Sequence, residues 1–200
     1  MSASGASRIA YDVFALADIQ QEKYQALADR VNERMTQFKC ERSPHLQNFA
    51  RTSVRKYEAH GHSRTYVMIT AADDTIDVAG FFTVGMTALN FSQASATARK
   101  KLMGDISREQ TGAYSIAELA RSDDFSSKQL PGSTILDEAK EVIKRARNYV
   151  AGRFLVVDAR PEVFERLYRP AGFRQIDVAT PPRDMQDVEF ITACAVIKDW

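Results

Sequence analysis

From Tyr114 to Phe173 the hydrophobic period switches from two to about 3.6 residues and back, which restricts the fold more than any other feature of the chain. Tyr114-Ser115-Ile116-Ala117-Glu118-Leu119-Ala120-Arg121 reads as a strand. Gln129-Leu130-Pro131-Gly132-Ser133-Thr134 is a glycine turn that opens a helix, with Thr134 as its cap and Asp137 at the capping-box position. Ile135, Leu136, Ala139, Val142, Ile143, Ala146 and Val150 form the apolar stripe of that helix, and Gly152 ends it. Phe154-Leu155-Val156-Val157 returns through the sheet, and Leu167-Tyr168-Arg169-Pro170-Ala171-Gly172-Phe173 closes the unit on a short helix after Arg160-Pro161. A strand on each side of one helix predicts a βαβ unit. Its glycine turn leaves backbone N–H groups and the positive end of the helix dipole facing outward, ready for a phosphate.

The rest of the chain supplies the frame. Two hundred residues suit one α/β domain over 11–200 behind a frayed start at 1–10, and 44% hydrophobic with 26% charged residues is ordinary globular composition. Tyr11 to Leu16 predicts an edge strand, and Asp18 with Gln21 a capping box for a helix through Tyr24, Leu27, Ala28, Val31 and Met35. Ser43-Pro44 starts a second helix, with Leu46, Phe49, Ala50, Val54 and Tyr57 buried and Gly61 as its C-cap. Its other face carries Arg51, Arg55, Lys56, His60 and Arg64, a solvated cationic face or a polyanion site. Thr65 to Thr70, the Asp73-Asp74 turn and Ile76 to Asn90 predict an antiparallel hairpin. The polar 92–112 segment, with a helix around Ala96, Leu102 and Met103, is either a flap over a substrate or a connector.

Several function classes are disfavoured by composition. A net charge of +1 gives no global field for nucleic acid or polycations, although a local basic patch stays open. Cys40 and Cys194 stand far apart in no C-x-x-C pattern, so neither a disulfide framework nor a zinc site is expected. The first ten residues lack the apolar run of a signal peptide and no run reaches membrane-spanning length, so a cytoplasmic protein without a membrane partner is expected. Neither G-x-x-x-x-G-K-[ST] nor G-x-G-x-x-G occurs at the turn, which speaks against an unrelated nucleotide-binding protein.

Gln129 and Gly132, followed by Tyr168, Gly172 and Phe173, give the chain its family likeness. In this order it resembles the GNAT superfamily of N-acetyltransferases, whose pyrophosphate loop reads Q/R-x-x-G-x-G/A and whose late element reads Y-x-x-x-G-F. Thr134 stands where that loop has Gly or Ala. Phe38-Lys39-Cys40 with Leu46 and Phe49, Arg64 to Val67, and Val78 to Thr83 are similar to a bacterial and phage-associated branch, so the likeness runs from about Phe38 onward. The resemblance implies a GNAT-like α/β (α+β) fold: a mixed, twisted central sheet with flanking helices in a single domain.

It also implies acetyl-CoA as co-substrate, with no metal. Lys128, Gln129, Leu130, Gly132, Ser133 and Thr134 would take the pyrophosphate, and Leu119, Ala120 and Arg121 on the strand would take the pantetheine arm and polarise the thioester. Tyr168 would protonate the departing thiolate. Glu118 is the candidate base, because an ammonium must lose a proton before it attacks. Period-two alternation puts Glu118 and Ala120 on one face, and Leu119 and Arg121 on the other. Pro170 should end the helix at Arg169. Asp123 and Asp124 read as loop solvation, and His45, His60 and His62 as helix-end residues. The expected activity is transfer of acetyl from acetyl-CoA to a primary amine by direct attack in a ternary complex. The acceptor is a small molecule, or, for a GNAT toxin or protein acetylase, an aminoacyl-tRNA or a protein lysine. The alternative is a non-catalytic acyl-CoA-binding module, and a homodimer stays open.

Overall fold

The computed structural model describes residues 7–72, 75–92, 95–106, 108–176 and 190–197. The elements follow as β1 (Asp12–Ala15), α1 (Leu16–Ile19), α2 (Gln25–Thr36), α3 (Pro44–Asn48), α4 (Val54–Ala59), β2 (Arg64–Ala72) and β3 (Thr75–Asn90). Then come α5 (Ala96–Met103), β4 (Gln110–Arg121), α6 (Gly132–Ala146), β5 (Phe154–Ala159), α7 (Pro161–Val163), β6 (Arg174–Gln175) and β7 (Ile191–Val196). The strands form one seven-stranded sheet in the order β1-β2-β3-β4-β5-β7-β6. β4 and β5 run parallel, as the βαβ expectation requires, while β1–β2, β2–β3, β5–β7 and β6–β7 pair antiparallel. The expected mixed sheet with flanking helices is therefore present. No helix among the described residues is long and apolar enough to cross a membrane.

The chain divides into two compact units, 1–85 with 118–142 and 86–117 with 143–200. In the first, Leu16, Ile19, Val31, Met35, Phe38, Phe49, Ala50 and Val54 of the helical segments pack on Val67, Ile69, Ile76, Val78, Phe81 and Ala120 of the sheet. Phe38 meets the edge of Phe81 at 5.2 Å, and Phe49 stacks on the same ring at 6.1 Å. Burying so many apolar side chains is the main source of stability here. Val78 and Phe81 can share this face because the β2–β3 register slips at Met68/Ile69, where Met68 faces Gly80 and Ile69 faces Val78.

Gly80 is a point of close backbone approach in this unit. A Cβ on it would lie 2.8 Å from the Ala120 carbonyl oxygen, 3.3 Å from Ile135 Cδ1 and 3.4 Å from Leu130 Cδ2. The backbone of β4 and the first turn of α6 thus approach β3 only because the side chain is absent. At the other end, Tyr11 donates from its hydroxyl to Glu138 Oε1 at 2.9 Å, and burial together with this bond pushes the phenol up to about 12. Ile9 N–H donates to the Gln129 carbonyl at 3.2 Å.

The second unit has its own core of Leu89, Phe91, Met103, Ala113, Phe154, Val156 and Cys194, with Phe91 and Phe154 at 5.5 Å. The helix of the 92–112 segment is anchored to this unit by buried Met103 and by Arg153 Nε, which donates to the Leu102 carbonyl at 2.8 Å. Tyr114 donates from its hydroxyl to the Val150 carbonyl, and its ring occupies the space that a side chain on Gly152 would need. Cys40 and Cys194 are free and buried, and burial pushes the Cys194 thiol up to about 11.

Local expectations fail where tertiary contacts intervene. The edge strand stops at Ala15, and Leu16 opens a short helix because Leu16 and Ile19 both turn into the core. Asp18 and Gln21 form no capping box, and α2 starts at Gln25. The Ser43–Pro44 start holds, with Ser43 Oγ accepting from Leu46 N–H at 3.5 Å. That helix is broken by a π-helical turn at Phe49–Ser53, and Tyr57 is half exposed rather than buried. α6 starts at Gly132, so Thr134 lies in its first turn and does not cap it. α6 ends at Ala146, well before Gly152, and Val150 is exposed. The Asp73-Asp74 turn lies outside the described residues.

Replacing Gly80 by Ala should lower stability by about 1–3 kcal/mol, the usual scale for overpacking, because the clash is with backbone and cannot be relieved by a rotamer. Urea unfolding of Gly80→Ala against wild type checks this; an unchanged midpoint would mean that β4 has room to move.

Candidate active site

The turn before α6 is built by a reciprocal capping box. Gln129 Oε1 accepts from Ser126 N–H and from Ser126 Oγ, both at 2.9 Å, while Ser126 Oγ accepts from Gln129 N–H at 3.3 Å. The Gln129 side chain therefore shapes the turn from within instead of reaching outward. Leu130 is fully buried, and its carbonyl accepts from Arg121 Nη1 at 3.1 Å. The Pro131 carbonyl takes the amides of Thr134 and Ile135 at 3.1 and 3.4 Å, which leaves the N–H groups of Gly132 and Ser133 without a partner among the described residues. Two free amides at the N-terminus of a fifteen-residue helix form an anion-binding arrangement. Lys128 and Ser133 are exposed beside it.

β4 carries the second group. Its ladder with β5 covers Tyr114, Ser115 and Ile116, and Leu119 and Ala120 lie beyond its end. The alternation expected for 118–121 is present. Ala120 belongs to the core beneath α1 to α4, and Glu118 on the same face reaches α3, whereas Arg121 reaches the turn before α6. Glu118 Oε1 lies 2.8 Å from His45 Nε2, and its backbone N–H donates to Thr83 Oγ1 at 3.0 Å. The Glu118 side chain is 13% exposed and that of His45 65%. Burial, then Arg42 nearby, lower the pKa of Arg121, whose buried Nε has no hydrogen-bond partner among the described residues.

The end of β4 is clamped to the segment before α3. Arg42 Nη1 pairs with Asp123 Oδ1 at 2.6 Å and Arg42 Nη2 donates to the Arg121 carbonyl at 2.6 Å. Lys39 Nζ pairs with Asp124 Oδ1 at 2.9 Å, and this hydrogen bond raises the Lys39 pKa. Asp123 and Asp124 are therefore structural partners of this clamp, not loop solvation. The cationic face of 51–64 is likewise partly committed, since Arg51 Nε donates to the Phe38 carbonyl and Arg64 Nη1 pairs with buried Glu58 at 2.6 Å.

In the other unit, Tyr168 is 5% exposed and ends a π-helical turn, Phe164–Tyr168. Arg169 N–H donates to the Phe164 carbonyl at 2.8 Å, one residue wider than an α-helical bond. Pro170 follows this wide turn and removes no bond from it. Gly172 at φ +90° turns the chain back, and Phe173 meets the Tyr168 ring edge-on at 5.3 Å. The Y-x-x-x-G-F spacing thus has a local cause: only glycine takes that φ at no steric cost.

Gln129→Ala should cost about 1 kcal/mol, the usual loss for a removed cap. Ser126→Ala should cost a similar amount, and the double variant less than the sum, because both residues serve one reciprocal pair. Thermal unfolding of the three variants checks this; strictly additive losses would mean that the two residues act apart.

No protein-family model and no curated protein matches the sequence. Solved structures do match in fold. A bacterial toxin aligns at TM-score 0.69 and 17% identity, over 94% of this chain and 92% of its own. A tyrosine-to-phenylalanine variant of KacT aligns at TM-score 0.66 and 17% identity, over 91% of this chain and 93% of its own. AtaT complexed with acetyl-methionyl-tRNAfMet aligns at TM-score 0.66 and 18% identity, over 92% of this chain and 94% of its own. AtaTR bound with AcCoA gives TM-score 0.63 at 17% identity, over 91% and 92%. Agreement along nearly the whole length of both partners shows that the chain shares the fold of these structures, a GNAT-like mixed α/β fold.

Proposed function

We propose that this protein is an acetyl-CoA-dependent N-acetyltransferase of the toxin type, which acetylates the amino group of an aminoacyl-tRNA. The observation that carries the transferase reading is the pair of unpartnered amides, Gly132 and Ser133, at the head of α6 in a chain of GNAT fold. Support for the acceptor comes from AtaT, whose structure holds acetyl-methionyl-tRNAfMet, and from the toxin identity of the neighbouring folds. That support favours the tRNA acceptor over a small amine or a protein lysine. The neighbour bound to the C-terminus of the antitoxin AtaR makes a neutralising protein partner part of the proposal.

Each residue then has a role. The Gly132 and Ser133 amides take the pyrophosphate, helped by Lys128, while Gln129, Leu130 and Arg121 hold the turn in shape. Leu119 and Ala120 present backbone groups to the pantetheine arm. Thr134, in the first turn of α6, faces the phosphates with a hydroxyl where the family pattern has Gly or Ala. Glu118 takes a proton from the ammonium, and the freed amine attacks the thioester carbonyl. A C–N bond forms, the C–S bond breaks, Tyr168 gives its hydroxyl proton to the departing thiolate, and the second proton released from the nitrogen restores the phenol. Much of the acceleration comes from holding two substrates together, which needs no covalent enzyme intermediate. A phenol ordinarily keeps its proton at neutral pH, which is why a tyrosine suits the role of an acid.

Two measurements test this. Acetyl-CoA at a hundredfold excess over its dissociation constant should stabilise wild type by about 2.7 kcal/mol through mass action. Gly132→Val, which places a branched side chain in front of the two amides, should lose most of that thermal shift; a shift that survives in the variant removes the pyrophosphate from this turn. Tyr168→Phe keeps the ring contact with Phe173 and should bind acetyl-CoA within a few-fold of wild type. Its turnover on charged tRNA at saturating acetyl-CoA should fall by roughly 10²–10⁴. Equal turnover in the two proteins would end the acid assignment, and acetylation of free amines or lysines alone, by mass spectrometry, would end the tRNA assignment.

A further inference from the structure

His45 sits at the second position of α3 and touches the proposed base. The turn that carries it is held by three bonds among its neighbours: Ser43 Oγ accepts from Leu46 N–H at 3.5 Å, Gln47 N–H donates to the Ser43 carbonyl at 3.0 Å, and Gln47 Oε1 accepts from Cys40 N–H at 2.9 Å. Opposite it, Glu118 is fixed from below by the bond from its N–H to Thr83 Oγ1, on a threonine that is wholly buried. The two side chains meet at 2.8 Å between His45 Nε2 and Glu118 Oε1, across 73 positions of sequence. Glu118 Oε2 has no hydrogen-bond partner among the described residues. One oxygen is therefore held and the other is left for a substrate.

We infer that His45 is a positioning residue for acetyl transfer, with an Nε2–H donor that orients Glu118 so that Oε2 faces the acceptor ammonium. The inference rests on the transferase reading above. A carboxylate on a free rotor presents its basic oxygen in many directions, and fixing one oxygen selects a direction for the other. An ionised carboxylate only accepts hydrogen bonds, so the imidazole nitrogen facing it carries the hydrogen. The imidazole is mostly exposed while the Glu118 side chain is largely buried, so the loss of the pair is read in turnover per folded molecule.

The test compares wild type, His45→Ala, His45→Gln, Glu118→Gln and the double variant His45→Ala/Glu118→Gln on charged tRNA. His45→Ala should keep its KM for acetyl-CoA and lose kcat per folded molecule by about tenfold to a hundredfold, the scale of a misplaced reacting group. His45→Gln, whose amide N–H reaches near the place of Nε2, should recover most of that loss. The double variant should be no slower than Glu118→Gln alone. Wild-type kcat in His45→Ala, a glutamine variant no better than alanine, or additive losses in the double variant would each overturn the positioning role while leaving the transferase intact. A wild-type protein that turns over no acceptor at all overturns the transferase reading, and this role with it.

Discussion

The missing side chain at Gly80 is the constraint on which the first unit depends. With the Ala120 carbonyl 2.8 Å from where a Cβ would stand, β4 comes as close to β3 as backbone permits, and Leu130 and Ile135 descend into the same gap. Three bonds follow from that approach. Ser122 N–H reaches the Ala79 carbonyl at 2.9 Å, Arg121 reaches the Leu130 carbonyl, and Glu118 N–H reaches Thr83. The start of α6 is thereby set against the end of β4 by close packing, and the Gly132 and Ser133 amides inherit their position from it.

The end of β4 does two jobs at once because a strand has two faces. Glu118 and Ala120 look toward the helices of the N-terminal segment, where a carboxylate can meet α3. Arg121 looks toward the turn that carries the free amides. The ion pairs of Lys39 and Arg42 with Asp124 and Asp123 tie this strand end to the chain just before α3, so the carboxylate and its histidine partner are braced from both sides. Pairs this exposed contribute modestly to stability. Their value is geometric: they keep α3 and β4 in register.

Local pattern carried the fold a long way. The parallel pairing of β4 with β5, the amphipathic α6 and the Ser43–Pro44 start are all written in short-range periodicity and cap chemistry. Tyr168, Gly172 and Phe173 were legible through the family resemblance, and the positive φ at Gly172 gives their spacing a local cause. The misses have long-range causes. Leu16 is helical rather than the last residue of the strand because a core formed by distant residues draws it and Ile19 inward. The Ser126-x-x-Gln129 capping box is visible in sequence, but Gln129 had been taken up by the loop motif, which hid its pairing with Ser126. The His45–Glu118 contact had no local signal at all, because only the sheet and the π-helical turn after α3 bring those two positions together. The clamp on Asp123 and Asp124 was hidden in the same way.

The wide turn at Phe164–Tyr168 has one more consequence, for how this segment tolerates change over evolution. A π-helical turn holds one residue more than the α-helical turn it replaces, and each helical residue advances the chain by about 100°. Losing a single residue there would restore regular winding and swing Tyr168 by roughly that angle relative to Phe164. Substitutions inside the turn leave the count intact and so keep the tyrosine on its bearing. Insertions and deletions do not, and length variants should be far rarer here than amino-acid variants.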